Sequence, residues 1–294
     1  MGDVLKQVSP EKMPKLLQTL ENKLPESIVV YHWIKTQLEW AKDTPGLQVR
    51  IFSLNGDGND ASVICVGDGI VGCNKMYGVI YATAEKEESF KEAVKSSDSI
   101  EWKRIKRFLA VLERNIPMLE QILEHKGCKI LADLHECYLH YMSVEKGAEF
   151  TLPDLPKNVR VGPLDERHLQ TVCDNWSHYD LEYRPVVAND IKFGPAVGVF
   201  VKNDIATGGE EELASMVMRT EYGGIGVLQT VPAHRMKGYA KIAFAHIIKQ
   251  LGQKGFMPFG TALTWNESSL RLFDKFGFDK LVVTVSFILI AVKD

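Results

Sequence analysis

The chain has 294 residues, of which 45% are hydrophobic and 25% are charged, and its formal net charge at pH 7 is -3. This composition excludes a fibrous or disordered protein, and the charge balance, without any basic cluster, gives no reason to expect nucleic-acid binding. The length exceeds that of a usual single domain, so we expect two domains. The most apolar segment, 281–292, is too short to span a bilayer, and no membrane association is expected.

The first half mixes helical and strand-like segments. Ser9 is a candidate N-cap with proline after it, and a helix to about Asn22 is expected. We predict a second helix at 28–42, strands at 47–54, 61–66 and 76–83, helices at 88–95 and 101–126, and leave 128–142 open between helix and strand.

A glycine pattern at 67–72 matches the G-x-G-x-x-G dinucleotide fingerprint letter by letter. That fingerprint needs a helix directly after it, so that the helix N-terminus meets the diphosphate. The next residues, 73–81, are typical of a turn and a strand, and a hairpin connection explains the glycines. We therefore do not expect a nucleotide site here.

The best candidate linker is the polar segment 144–156, which contains two prolines. We predict a first domain at 1–143, a linker at 144–158 and a second domain at 159–294. In the second domain we expect Asp165 to cap a helix that ends near Trp176. Strands are expected at 159–162, 196–202, 212–219, 223–231 and 256–265, and a terminal core strand at 281–292.

The most informative junction lies at 225–250. An apolar strand at 225–231 leads into a basic loop, and apolar residues then recur at helical spacing from Ile242 to Leu251. A helix N-terminus presents unpaired N–H groups and the positive end of its dipole. Gly238 lets an anion approach the backbone, and Arg235 and Lys237 add positive charge. The junction predicts an anion site, best suited to a diphosphate.

The spacing Arg235-x-x-Gly238-x-Ala240 resembles the Arg/Gln-x-x-Gly-x-Gly/Ala signature of the GNAT acyltransferase superfamily, which holds the diphosphate of acyl-coenzyme A. The segment Asn266–Phe278 resembles the last helix of that family. The resemblance implies an α/β (α+β) GNAT fold for 159–294: a mixed, largely antiparallel sheet flanked by helices. It also implies acyl-CoA as co-substrate and no metal.

A narrower resemblance extends over both halves. The segments 20–31, 62–66 and 101–103, together with Asn175-Trp176, are similar to the glycine N-acyltransferase family. This similarity implies a degenerate GNAT-like domain at 1–143 without a coenzyme site, so that the chain contains two tandem GNAT-like domains. It implies an acyl-CoA-dependent N-acyltransferase whose partner is a small amine or amino acid, such as glycine.

The resemblance also assigns candidate roles in CoA binding. The strand residues would pair with the pantetheine amides, the loop would hold the diphosphate, and the last helix would line the arm. The residues are Leu228, Gln229, Thr230, Val231, Arg235, Met236, Lys237, Gly238, Tyr239, Ala240, Asn266 and Phe273.

Direct attack by an amine requires a base but no nucleophilic side chain. Glu221 is the candidate catalytic base, and a solvated edge carboxylate is the alternative interpretation. The glutamate of glycine N-acyltransferases falls on Gly224 here, and His234 is a second candidate. Many GNAT enzymes have a tyrosine, which protonates the thiolate, at the position of Phe273.

The acceptor site is expected near Trp176, Tyr179 and Arg184, where Arg184 would bind a carboxylate; packing of the aromatic rings is the alternative. The missing tyrosine and displaced glutamate keep open a non-catalytic CoA-binding or sensing protein. A third hypothesis is an acetyltransferase that acts on a protein substrate. The acyl chain and oligomeric state are left open by these motifs, and an intracellular location is expected, cytoplasmic or mitochondrial.

Overall fold

The computed structural model describes residues 3–68, 75–131, 135–176, 183–202 and 211–293. Up to residue 148, its helices and strands are β1 (Leu5–Gln7), α1 (Met13–Glu21), α2 (Ile28–Asp43), β2 (Val49–Leu54), β3 (Val63–Gly67), β4 (Met76–Tyr81), α3 (Glu87–Ser96), β5 (Ile105–Leu112), α4 (Ile116–His125), β6 (Cys128–Ile130), β7 (His135–Tyr141) and α5 (Val144–Ala148). They are followed by β8 (Val159–Pro163), α6 (Leu169–Asn175), α7 (Arg184–Phe193), β9 (Ala196–Lys202), β10 (Glu211–Arg219), β11 (Ile225–Thr230), α8 (Tyr239–Gln253), β12 (Phe259–Leu263), α9 (Glu267–Lys275), β13 (Asp279–Lys280) and β14 (Val285–Val292).

The chain forms two compact units, and each unit is built from more than one segment of the sequence. Unit 1 comprises Met1–Leu139, Ala262–Trp265 and Lys280–Asp294, and unit 2 comprises His140–Thr261 and Asn266–Asp279. The last strand of the chain therefore belongs to unit 1, whereas the sequence analysis assigns it to the second domain. Hydrophobic periodicity identifies this segment as a strand but carries no information about which sheet receives it.

The sheet of unit 1 has the order β1-β2-β3-β4-β5-β14-β7. β14 lies antiparallel to both β5 and β7, so it is a central strand of this unit. The core gathers buried residues from the sheet, from α3 and α4, and from β14 itself, where Ile288 and Ile290 are buried. Full burial of each such side chain stabilises by about 1.5–3 kcal/mol relative to exposure.

The sheet of unit 2 has the order β12-β11-β10-β9-β8. α8 packs on the three strands β9, β10 and β11. Its buried face includes Ile242, Phe244, Ile248 and Leu251, at the helical spacing seen in the sequence. This packing fixes the N-terminus of α8 directly after β11.

From β1 to α4 and again from β8 to α9, the elements follow the same order: one strand, two helices, three strands, a helix, a strand and a helix. In both, the strand before the third helix lies parallel to the strand after it, as β4 with β5 and β11 with β12. The structure thus shows an internal repeat that the residues themselves do not reveal.

Most predicted elements are confirmed, but the helix predicted at 101–126 is wrong. Residues 105–112 form β5, a strand paired with β4 and β14, and only 116–125 are α-helical. Glu, Lys and Leu in this segment suit a helix, but five consecutive residues from Phe108 to Leu112 are buried in the sheet. Here the tertiary environment overrides local propensity.

The structure also shows the conformation in or next to three other segments discussed in the sequence analysis. The open segment 128–142 contains the strands β6 and β7. The predicted linker begins with the helix α5, which packs on α8; a Cβ on Gly147 would lie 2.7 Å from Pro258. The pattern at 67–72 is followed by β4, antiparallel to β3, so the expected hairpin pairing is confirmed although residues 69–74 lie outside the described ranges.

Candidate functional site

The strand β11 is distorted at its centre. Met216 pairs with Gln229 and Met218 pairs with Gly226, so two residues of β11 face a single residue of β10. Val227, within this bulge, has φ 54°, which is rare for a β-branched residue. A bulge bends the strand and redirects its backbone groups, and backbone strain of this kind occurs frequently at functional sites.

β11 and β12 separate beyond this bulge. Their parallel pairing is found at Ile225 and Gly260, and no further pair along β11 occurs in the described ranges. The segment Leu228–Val231 is half-buried, and β10 covers one of its edges through Ser215 and Thr230. The other edge can accept an extended ligand that forms hydrogen bonds with the backbone.

The loop after β11 reaches α8 through two left-handed residues. Met236 has φ 63° and Gly238, the N-cap of α8, has φ 85°. A Cβ built on Gly238 would meet no atom within 4 Å, so the space above this residue is open. The glycine therefore serves both the backbone conformation and access to the helix N-terminus.

The backbone N–H groups of residues 236–240 have no acceptor among the described residues. The first amide after them, that of Lys241, donates to the Gly238 carbonyl at 3.0 Å. Several donors thus converge at the positive end of the α8 dipole, which is the arrangement that binds phosphate groups.

Side chains of the loop add positive charge and shape. Arg235 Nε donates to the Thr230 carbonyl at 3.3 Å, and Lys237 Nζ donates to the Ala233 carbonyl at 3.1 Å; both residues are exposed. His234 is buried instead, with Nε2 3.2 Å from Glu212 Oε2. Its contact with Glu212 holds the loop, so His234 is poorly placed as a base.

Comparisons with known proteins agree with this geometry. The profile of the family described as FR47-like protein matches residues 204–287, which contain the bulge, the loop and α9. A Drosophila protein of known structure shares 16% identity, with a TM-score of 0.80, over 98% of this chain and 99% of that one. The tandem GNAT protein from the clavulanic acid biosynthesis pathway shares 10% identity, with a TM-score of 0.53, over 98% of both chains.

The chain has a GNAT fold. The full-length match to the tandem GNAT protein fits a two-domain GNAT architecture and confirms the predicted fold class. It establishes the fold and leaves the glycine N-acyltransferase subfamily as a proposal. No curated protein sequence matches the chain.

Glu221 of unit 2 lies in the turn between β10 and β11 and is only 2% exposed. The interpretation as a solvated edge carboxylate is therefore wrong. The Tyr183 hydroxyl, at the N-terminus of α7, donates a hydrogen bond to Glu221 Oε1. Tyr183 is also buried, and its ring lies 5.8 Å from that of Trp176.

Gly224, the position expected to carry the glutamate of glycine N-acyltransferases, has no room for a side chain. A Cβ there would lie 3.0 Å from Tyr222 Cζ and 3.1 Å from Phe259 Cε2. The Tyr222 ring, 5.9 Å from that of Phe259, occupies this volume. The nearest carboxylate along the chain is consequently Glu221.

Phe273, at the expected tyrosine position, is 5% exposed in an aromatic cluster. Its ring stacks on His140 at 4.5 Å and lies edge-on to Phe244 and Phe278. Asn266 caps α9 by accepting the Ser269 N–H at 3.1 Å. A role for either Asn266 or Phe273 in binding pantetheine stays a prediction.

Two of the three predicted acceptor residues are described, each at the end of a helix. Trp176 ends α6 and is half-buried, Arg184 is the first residue of α7, and Tyr179 lies outside the described residues. The sequence analysis does not identify α7, although Pro185 near its start followed by Val186, Val187 and Ile191 is a usable helix signal.

Two buried ionisable side chains lie close to the same turn. Asp190 on α7 is 1% exposed and Arg219, at the end of β10, is fully buried. Burial raises the pKa of Asp190 well above its ordinary value, and the Arg219 charge opposes that shift. The Arg219 guanidinium also stacks 4.6 Å from the centre of the Phe256 ring.

Among the described residues, no group of three or more His, Cys, Asp or Glu side chains is arranged to hold a metal ion. Nor does this part of the chain contain a helix with the length and apolar character needed to cross a membrane.

Proposed function

We propose that the protein transfers an acyl group from acyl-CoA to the amine of a small acceptor. The observation that carries this proposal is the junction of β11 and α8. Its open amides at residues 236–240, the left-handed Gly238 and the separated edge of Leu228–Val231 form one continuous path. A diphosphate with an extended amide-containing arm fits such a path.

Each part of the path would contact a different part of the co-substrate. The diphosphate would accept hydrogen bonds from the amides of residues 236–240, with Arg235 and Lys237 adding charge. The pantetheine amides would pair with the backbone of Leu228–Val231, and the bulge at Val227 would lie near the thioester. Tyr239 and Ala240 open α8 beneath the diphosphate.

The reaction needs no covalent enzyme intermediate. The amine nitrogen attacks the thioester carbonyl carbon, its proton passes to the Glu221 carboxylate, and the C–S bond breaks to release a thiolate. Backbone N–H donors at the bulge would stabilise the developing oxyanion. Because Phe273 has no hydroxyl, the thiolate would take its proton from water.

The acceptor class follows from the segment that ends α6 and begins α7. Trp176 offers an aromatic surface, and Arg184 offers a guanidinium that suits a carboxylate. Together with the resemblance to glycine N-acyltransferases, these residues favour glycine or a similar small amino acid.

The test is release of free thiol from acetyl-, benzoyl- and longer acyl-CoA, each with and without glycine and other amines. We expect release that depends on the acceptor, with the N-acyl product confirmed by mass. A protein that binds CoA in calorimetry but releases no thiol with any amine would refute this proposal. The missing tyrosine hydroxyl and the Gly224 position would then favour a CoA sensor or a protein acceptor.

A further inference from the structure

The hydrogen bond between Tyr183 and Glu221 connects two elements of unit 2. Tyr183 belongs to the start of α7 and Glu221 to the β10–β11 turn, and their exposed fractions are 8% and 2%. A carboxylate at this depth requires hydrogen-bond donors to remain ionised. Tyr183 supplies such a donor from an element 38 residues away in sequence.

The two positions at which the family resemblance predicts a catalytic side chain do not supply one here. The Tyr222 ring fills the volume above Gly224, so a carboxylate cannot be placed at that residue without displacing the ring. Phe273 has no ionisable group. Relative to the glutamate position expected from the family resemblance, the carboxylate is therefore shifted to Glu221.

The phenol is itself held in place. The Trp176 ring packs on Tyr183 at 5.8 Å with an angle of 51° between the planes. Pro185 lies in the first turn of α7, where its fixed φ favours the helix, and α7 packs on both β9 and β10. The hydroxyl consequently approaches Glu221 from a packed element rather than from a free side chain.

We propose that Tyr183 is a positioning residue: its hydroxyl holds the Glu221 carboxylate, ionised and in one orientation, to accept the proton of the attacking amine. This inference rests on the proposed function and adds a residue to it. When the amine forms its bond to the carbonyl carbon, its proton moves to Glu221, and the Tyr183 proton stays on the phenol. Glu221 then returns its proton to solvent.

The experiment compares Tyr183→Phe with Tyr81→Phe, which removes a buried phenol from unit 1. For Tyr183→Phe we expect kcat to fall about tenfold, which is typical for loss of one hydrogen bond to a charged group. The KM for acyl-CoA should not change. The acid limb of the pH–rate profile should move to higher pH, because a carboxylate without this donor keeps its proton longer. Tyr81→Phe should leave the rate and the profile unchanged.

A double-mutant cycle makes the test specific. If Tyr183 acts through Glu221, adding Tyr183→Phe to Glu221→Gln should lower kcat no further. An active wild type whose profile does not move in Tyr183→Phe, or additive effects in the cycle, would overturn this inference alone. A wild type that releases no thiol would refute the proposed function and the inference together.

Discussion

The two units have the same order of elements, but their strand–helix junctions differ. In unit 2, β11 leads to α8 through a basic loop with a left-handed glycine and open amides. In unit 1, β4 leads to α3 through residues 82–86, which contain no glycine, and the first turn of α3 carries Glu87 and Glu88. Those carboxylates occupy the positive end of the helix that a diphosphate would need.

The strands that flank the two junctions differ as well. β4 and β5 stay paired at three positions, from Met76 to Gly78, whereas β11 and β12 pair at one. A Cβ on Gly78 would lie 2.8 Å from the Phe108 ring, so side-chain packing fills unit 1 where unit 2 is separated. Because both units share this order of elements, the features that would decide CoA binding are the loop and the separation of the two strands, not the fold alone.

The largest expected effect tests the loop. Gly238→Trp should weaken CoA binding about 100-fold or more, because it blocks the approach of the diphosphate to several amides, each hydrogen bond to a charged group contributing about 1.5–3 kcal/mol. Titration calorimetry with CoA measures this change. The matched control is Gly255→Trp at the other end of α8, where φ is 74° and the built Cβ is equally open. Equal losses in both variants would contradict the assignment of the site.

A second change tests the aromatic core of unit 2. Phe273→Tyr places a hydroxyl beside Gly260 in a buried cluster and should lower the free energy of unfolding by about 1–3 kcal/mol. Phe276→Tyr should cost less, because that ring is only half-buried. Chemical denaturation measures both. Unchanged stability with faster turnover would show instead that the new hydroxyl serves the departing thiolate.

A third change concerns the buried carboxyl of α7, whereas α2 of unit 1 buries the neutral Thr36 and Gln37. Burial raises the folded-state pKa of Asp190 above its unfolded value, so its favourable contribution is complete below about pH 3.9 and is lost as pH rises through the folded pKa. The stability of Asp190→Asn relative to wild type should therefore increase from pH 4 to pH 7. Denaturant unfolding measures this difference in stability, and an equal difference between variant and wild type at both pH values would contradict the prediction.

The smallest expected effect concerns unit 1. Calorimetry should give one CoA per chain, and replacing Glu87 and Glu88 by Gln should leave both the affinity and this stoichiometry unchanged. These substitutions remove only the acidic side chains at the start of α3. β4 and β5 remain paired, so their backbone groups are still not available to pantetheine. Binding of a second CoA per chain would contradict the inferred difference between the two units.

Much of the site was predictable because local chemistry dictates it. Gly238 and the apolar period of α8 are sufficient to predict the loop and the start of the helix, and Asn266 is a recognisable cap, whereas diphosphate binding stays a prediction. The bulge was not predictable, since Gly-Val-Leu carries no signal for a positive φ at Val227. The same holds for Tyr183 and Glu221, whose contact depends on where α7 packs.

Misassigned elements share a physical cause. β5 is rich in residues that suit a helix, and it is a strand because β4 and β14 flank it. Long-range pairing of this kind leaves no periodic trace within the segment itself. The internal repeat was not detectable from the sequence, because the two units share the order of their elements but not their residues.

The position of β14 has a consequence for how the chain is synthesised and truncated. Unit 1 includes Lys280–Asp294, and Val285 of β14 pairs with both Leu112 and Cys137. A ribosome that has produced the first 143 residues has therefore not yet supplied the strand that lies between β5 and β7. Unit 1 cannot complete its sheet before residues 285–292 have been synthesised, and a truncation near residue 280 would remove a central strand from the unit that holds the first 139 residues.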